Sequence, residues 1–246
     1  MVNDPPFEVY LLGLVDFEEA QLLQQRLIFD LGEEGLGGAL ILCEHPPTIS
    51  VGRSGSRAHI RADDEELHER GIRVRWINRG GGCVLHLPGQ INAYLMLPLA
   101  PDRMNLRLYL DKMHAAVIGT LADFGLSGST RPDCFGVFLG SSRVASVGVA
   151  VKRWIAYHGL TLNVGPYLEP FRVLQEPGPG SGPVPDVLRQ TSMEAHRQRP
   201  VPMAKVRESL IRHIEAAFGL ESHHLYTDHP LIRKKARPHV YAQSLG

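Results

Sequence analysis

The sequence predicts an α+β domain, a mixed and largely antiparallel sheet flanked by helices, and three observations carry that prediction. Three strand-like runs, FGVFLG (135–140), RVASVGVAV (143–151) and WIAYHGLTLNV (154–164), follow one another with connections of only a few residues. Parallel neighbours need crossovers of a dozen or more residues, so these runs must pair mostly antiparallel. Two long helical segments, 105–125 and 202–219, stand apart from that strand cluster instead of alternating with it,. Finally, 246 residues with 43% hydrophobic and 21% charged content suit a globular chain able to bury a sizeable core,.

Each element has a local cause. FEVYLLGLV (7–15) is a mostly apolar run and reads as a strand,. Asp16 follows as an N-cap, with Glu19 at capping-box spacing,. Leu23, Leu27 and Leu31 then recur at helical intervals and give a core-facing stripe,. GALILCE (38–44) is a short apolar strand that the HPP after it must end,. IRVRWI (72–77) alternates apolar and basic residues, which predicts a strand with one solvated face,. INAYLMLPL (91–99) is a further strand, and residues 105–125 form a long amphipathic helix stopped by Gly125,. EPGPGSGPVP (176–185) holds too much proline and glycine for helix or sheet and is a loop,. Pro202 at the entry and Gly219 at the exit bound the last helix,.

Composition narrows the function. Lys and Arg number 26 and Asp and Glu 26, so overall charge favours neither nucleic acid nor an anionic membrane as partner,. Three cysteines, Cys43, Cys83 and Cys134, are too few for a disulfide framework, and no pair has C-x-x-C spacing,. The opening MVNDPPFEVY lacks the basic and apolar regions of a signal peptide, and no run approaches the roughly 18 apolar residues of a membrane span,. The expectation is a cytoplasmic protein, one domain over 1–246, with a basic tail from about 230,.

The chemistry-bearing stretch is RGGGCVLHLPGQ (79–90). Glycines 80–82 allow close backbone approach, although a bulge or tight turn explains such a run as well,. Neither this stretch nor GRSGSR (52–57) is a G-x-x-x-x-G-K-[ST] phosphate loop,. His86 and His158 lie in or beside strands flanked by glycine, but no metal-ligand spacing occurs, so no metal and no cofactor are expected,. Cys83 sits in an apolar strand and reads as a small buried hydrophobe,. Cys134 lies beside Asp133, whose carboxylate would raise a thiol's pKa,.

RGGGCVLHLPGQ resembles the R-G-G-x-x-T-Y-H-G-P-G-Q signature of the lipoate-protein ligase B family of octanoyltransferases. LCEHPPTISVGRSG (42–55), RPDCFGVFLG (131–140) and SVGVAVKRWIAYHGLTLNV (146–164) resemble further family stretches in the same order. The resemblance spans roughly residues 7–220. It implies a fold like the catalytic domain of biotin and lipoate protein ligases. It also implies transfer of octanoyl from acyl carrier protein to a lysine of lipoyl domains, those of 2-oxoacid dehydrogenases or the glycine cleavage protein. The acyl pocket it implies is lined by Arg79, Gly80, Gly81, Gly82, Cys83, Val84, Leu85 and His86, by Ser146, Val147 and Gly148, and by Gly159, Leu160 and Thr161.

The resemblance breaks at the family's catalytic pair. Where the family has a lysine before S-x-G this chain has Arg143, and where it has an acyl-carrying cysteine the alignment gives Pro177. Deprotonating an arginine at pH 7 costs about 9 kcal/mol, against about 4–5 for an ordinary lysine, so Arg143 can serve only as a fixed charge. Proline offers no nucleophile. Cys83 or Cys134 is then the candidate for a relocated nucleophile, direct transfer is the other route, and a degenerate acyl-binding or regulatory protein is the alternative function.

Overall fold

The computed structural model describes residues 7–33, 37–100, 102–132, 134–175, 189–220 and 223–233. The strands are β1 (Phe7–Leu14), β2 (Gly38–Glu44), β3 (Thr48–Val51), β4 (Arg73–Trp76), β5 (Cys83–His86), β6 (Gln90–Pro98), β7 (Gly128–Arg131), β8 (Cys134–Leu139), β9 (Ser142–Lys152), β10 (Ile155–Asn163) and β11 (His223–Tyr226). The helices are α1 (Phe17–Glu33), α2 (Asp64–Glu69), α3 (Leu106–Asp123), α4 (Met193–Arg197) and α5 (Met203–Phe218), with 3-10 turns at Arg57–His59 and Glu169–Val173.

Eight strands form one sheet in the order β11-β1-β2-β6-β10-β9-β8-β7. From β2 to β7 all pairings are antiparallel, as the short connections require, while β1 runs parallel to both β2 and β11. The β1–β2 crossover is α1, long enough to return the chain for a parallel pairing,. Arg153 and Trp154 join β9 to β10 with positive φ at both residues, the two-residue hairpin geometry that suits strand twist,. A second sheet, β4-β3-β5, stands apart.

Burial follows the strand alternation. On one face of the large sheet Leu40, Leu42, Ile91, Ala93, Leu95, Leu160 and Leu162 pack under α3 and α5 through Tyr109, Met113, Val117, Val206, Leu210 and Ile214. On the other, Ile41, Cys43, Tyr94 and Met96 meet Ala20, Leu23, Leu27 and Leu31 of α1. The small sheet has its own core, in which Ile49, Val51, Cys83 and Leu85 pack with Leu67, Val173 and Leu174.

The caps agree with the sequence reading. Asn105 Oδ1 accepts from Leu108 N at the start of α3, Gly125 follows its end with φ +72°, and Gly219 closes α5 in the left-handed region. Asp16 caps α1 through Glu18 N at 3.2 Å, while the Glu19 carboxylate accepts from Arg233 N instead of closing a capping box. The alternating basic residues of β4 are not simply solvated: Arg73 pairs with Asp16 and Glu18, and Arg75 with Glu18, which ties the small sheet to the start of α1. The loop at 176–185 and the basic tail beyond 233 lie outside the described residues.

Candidate active site

A narrow cavity lies between the small sheet and the α1 face of the large one. Its wall is built from Phe17 and Gln21 of α1, Val84 and His86 of β5, Tyr94 of β6, Ser146 and Gly148 of β9, His158 to Thr161 of β10, and Ile77 and Arg79. A second cavity shares Val84, Ser146 and Thr161 with it and continues to Arg143, Asn163, Leu174 and Gln190. The two run in line along the β9–β10 ladder, where Ser146 faces Thr161, Gly148 faces Gly159 and Val149 faces His158.

Hydrogen bonds fix the wall. The buried Arg79 guanidinium donates from Nη2 to Ser50 O (2.8 Å) and Ser50 Oγ (2.9 Å), and from Nη1 to Gly80 O (2.9 Å). The Ser50 hydroxyl, thus occupied as acceptor, donates to His86 Nε2 at 2.8 Å. His86 Nδ1 then donates to Asn92 Oδ1 (2.7 Å), which also accepts from the Thr161 hydroxyl, and Asn92 Nδ2 reaches Cys43 O. His45 donates from Nδ1 to Val15 O and accepts from Tyr94 Oη at Nε2, both at 2.7 Å. These partners allow one tautomer at each ring.

Burial keeps the imidazoles neutral. Desolvation lowers His45 to about 4 and His158 to about 3, and it holds His86 well below the ordinary histidine value, with the neighbouring His45 adding to the effect,. His158 carries a second constraint, because its φ of +63° is a conformation that costs a non-glycine residue about 1–3 kcal/mol,.

Arg143 is buried at the other end. Its backbone is clamped by Arg143 N to Arg189 O (2.8 Å) and Thr191 N to Arg143 O (2.9 Å). With its amide oxygen turned inward, Gln190 accepts from Arg143 Nη2 at 2.8 Å and Nε at 3.1 Å. Gln190 thus holds the Arg143 fork in one orientation in the wall of the second cavity,. Pro177 lies outside the described residues. Leu174 and Gln190 both line the Arg143 cavity.

Of the residues expected to line the acyl slot, Arg79, Val84, His86, Ser146, Gly148, Gly159, Leu160 and Thr161 line the first cavity, and Leu85 the second. Gly80, Gly81, Gly82, Cys83 and Val147 line neither of these two cavities. The reason is strand alternation: Val84 and His86 face the cavity, so Cys83 points into the small-sheet core, while Val147 points into the large one,. The glycines work at one remove. Gly81, with φ +85°, shapes the turn that lets Gly52 N and Ser54 N pair with Gly82 O and Gly81 O,. Gly159 faces the backbone of β6, and a Cβ there would lie 2.0 Å from Ala93 O. Cys134 opens β8 opposite Arg131 and also lines neither cavity. Among the described residues no cluster of three His, Cys, Asp or Glu forms a metal site.

Sequence reasoning missed Phe17, Gln21, Ile77 and Tyr94 in the wall, Ser50 and Asn92 behind His86, and Gln190 behind Arg143. One signal was present. Gln24 falls on the buried stripe of α1, a polar residue where the pattern asks for an apolar one, and its Oε1 accepts from His158 N,.

Residues 16–215 match the family model of the lipoyl protein ligase A/B catalytic domain. The chain belongs to this family. Within the lipoyl ligase family it is 34% identical over 207 residues to an octanoyltransferase of Syntrophobacter fumaroxidans, covering 84% of this chain and 88% of that protein. It is 35% identical over 199 residues to an octanoyltransferase of Geobacter metallireducens, covering 81% and 87%. Its fold is that of a bi-partite lipoate protein ligase of Thermoplasma acidophilum, described with its E2 lipoyl domain. The TM-score is 0.71 at 18% identity, over 91% of this chain and 88% of that one.

Proposed function

We propose that this chain transfers an octanoyl group from the thioester of an acyl carrier protein to a lysine of a lipoyl domain, in the cytoplasm, without an acyl-cysteine intermediate. The observation that supports it is the fixed Arg143 fork at one end of a partly apolar cavity, in a chain whose relatives are octanoyltransferases. The acyl tail occupies the first cavity, and each buried methylene contributes about 0.8 kcal/mol. The thioester carbonyl lies in the Arg143 cavity, where the guanidinium stabilises the tetrahedral oxyanion. The neutral amine of the acceptor lysine attacks the carbonyl carbon, the C–S bond breaks, and the departing carrier sulfur takes the proton that the amine loses. Arg143 takes no proton in this scheme, consistent with an arginine at the family's lysine position,. Arg61, Arg172 and Arg189 line the adjoining cleft and present positive charge to an acidic donor,.

The test is transfer of labelled octanoate from octanoyl carrier protein to a lipoyl domain in the absence of ATP, with intact mass measured in parallel. Transfer without a hydroxylamine-labile adduct on the chain supports the proposal. An adduct lost in Cys83→Ser or Cys134→Ser would mean a relocated nucleophile, and octanoate binding without transfer would mean an acyl-binding protein that has lost its chemistry.

A further inference from the structure

The end of the first cavity away from Arg143 is polar, and the backbone is bent to make it so. His158 belongs to β10 but has φ +63°. β10 pairs with β6 at Ala156–Leu97 and again at Gly159–Tyr94, yet Tyr157 and His158 have no ladder partner there. The His158 N–H instead donates to Gln24 Oε1 of α1 at 3.1 Å. The strand thus gives up two positions of regular pairing, and α1 supplies the replacement partner.

That arrangement sets His158 and Gln21 into the cavity wall. Among the described residues, His158 Nδ1 and Gln21 Nε2 are both shut from solvent and both lack a hydrogen-bond partner. Of the eight buried side-chain atoms without a hydrogen-bond partner among the described residues, these two line the cavity, where a ligand group can satisfy them,. The acyl-transfer chemistry does not use them. His158 faces Val149 across the ladder, six residues along β9 from Arg143, or about 20 Å between Cα positions,.

We infer that His158 and Gln21 are specificity-determining residues. They end the acyl slot with a hydrogen-bonding wall, which accepts a chain that carries a hydroxyl or oxo group at its tip and rejects a wholly apolar chain long enough to touch it. A polar tip satisfies the two nitrogens, whereas a methyl tip displaces solvent from them and offers nothing in return. This inference rests on the acyl-cavity reading above and names the class of chain that the cavity takes.

The experiment compares two isosteric free acids, 8-hydroxyoctanoate and nonanoate, by calorimetry. Wild type should bind the hydroxy acid about tenfold or more tightly than nonanoate. Gln21→Leu, placed on a helix and free of backbone strain, should abolish or reverse that order, and His158→Asn, a residue tolerant of positive φ, should keep it. Equal binding of the two acids by wild type, or an unchanged preference in Gln21→Leu, overturns the inference and leaves the acyl cavity standing. Absence of binding by either acid overturns the acyl-cavity reading along with it.

Discussion

Lowering the pH should unfold this domain through its buried histidines. His45 and His158 titrate at about 4 and about 3 in the fold, and His86 lies well below its ordinary value. In the unfolded chain each returns to about 6.5. A depressed folded pKa means that the unfolded state binds the proton more readily, so this stability is fully present above about pH 6.5 and falls as pH drops toward 4 and 3. At pH 5 His45 and His158 have each lost about 2 kcal/mol, or about 4 together, with His86 acting in the same direction, and that is a large share of the stability of a typical domain,. Few carboxylates titrate above pH 5, so the histidines should dominate the interval from 6.5 to 5. Urea unfolding at fixed ionic strength between pH 7.5 and 5 measures the slope, which should reach at least about two protons taken up on unfolding,. His45→Asn should lower that number by about one whatever it does to stability at neutral pH. An uptake below one proton, or a slope that His45→Asn leaves unchanged, would show that these rings are not held neutral by burial.

Four further outcomes follow from the same contacts. Gly159→Ala sets a Cβ 2.0 Å from Ala93 O, which only backbone movement can relieve, and should cost about 3 kcal/mol and lower Tm by about 6–12 °C in a thermal scan,. Arg79→Lys exchanges a fork that reaches Ser50 O, Ser50 Oγ and Gly80 O for a single ammonium. It should lose about 2–4 kcal/mol by urea unfolding and weaken octanoate binding in calorimetry,. Cys83→Ser should leave octanoyl transfer within twofold of wild type while unfolding at lower urea, because Cys83 packs in the small-sheet core and away from both cavities. Arg143→Lys with Pro177→Cys should raise octanoyl transfer together far more than either change alone, since a thiol without its lysine is only a few per cent thiolate at pH 7.

The elements that local chemistry dictates were legible in the sequence. The stop signals at Gly125 and Gly219 and the short connections around β8, β9 and β10 were enough to place two helices and an antiparallel core. The separate sheet was not. β3 is only four residues long and follows Pro46 and Pro47, so its pairing with β4 and β5 depends on long-range contacts that no local pattern announces. In the site, period-two alternation was available and would have turned Cys83 and Val147 away from Val84, His86, Ser146 and Gly148. Reading the signature as a continuous run hid that distinction. Ser50, Asn92 and Gln190 were out of reach for a different reason: each acts by orienting another residue from a distant part of the chain.

The direct route proposed for transfer makes its own demands on the fold. A covalent route needs a nucleophile, and neither Cys83 nor Cys134 lines the two cavities proposed for the acyl group. Direct transfer needs a held carbonyl, a fixed charge and an acceptor amine brought close. Arg143 supplies the charge in one orientation, clamped on its backbone by Arg189 and Thr191 and on its side chain by Gln190. A single well-placed donor to an oxyanion contributes about 3–4 kcal/mol, or a factor of about 10²–10³. Positioning of two bound reactants can supply about 7–11 kcal/mol more. Those two contributions suffice for an acyltransferase without a covalent intermediate, and they place the demand on the acceptor. The lysine amine must arrive unprotonated, so the rate of direct transfer should rise with pH toward the acceptor lysine's own pKa. A transferase that relied on a cysteine thiolate would instead follow the titration of the thiol.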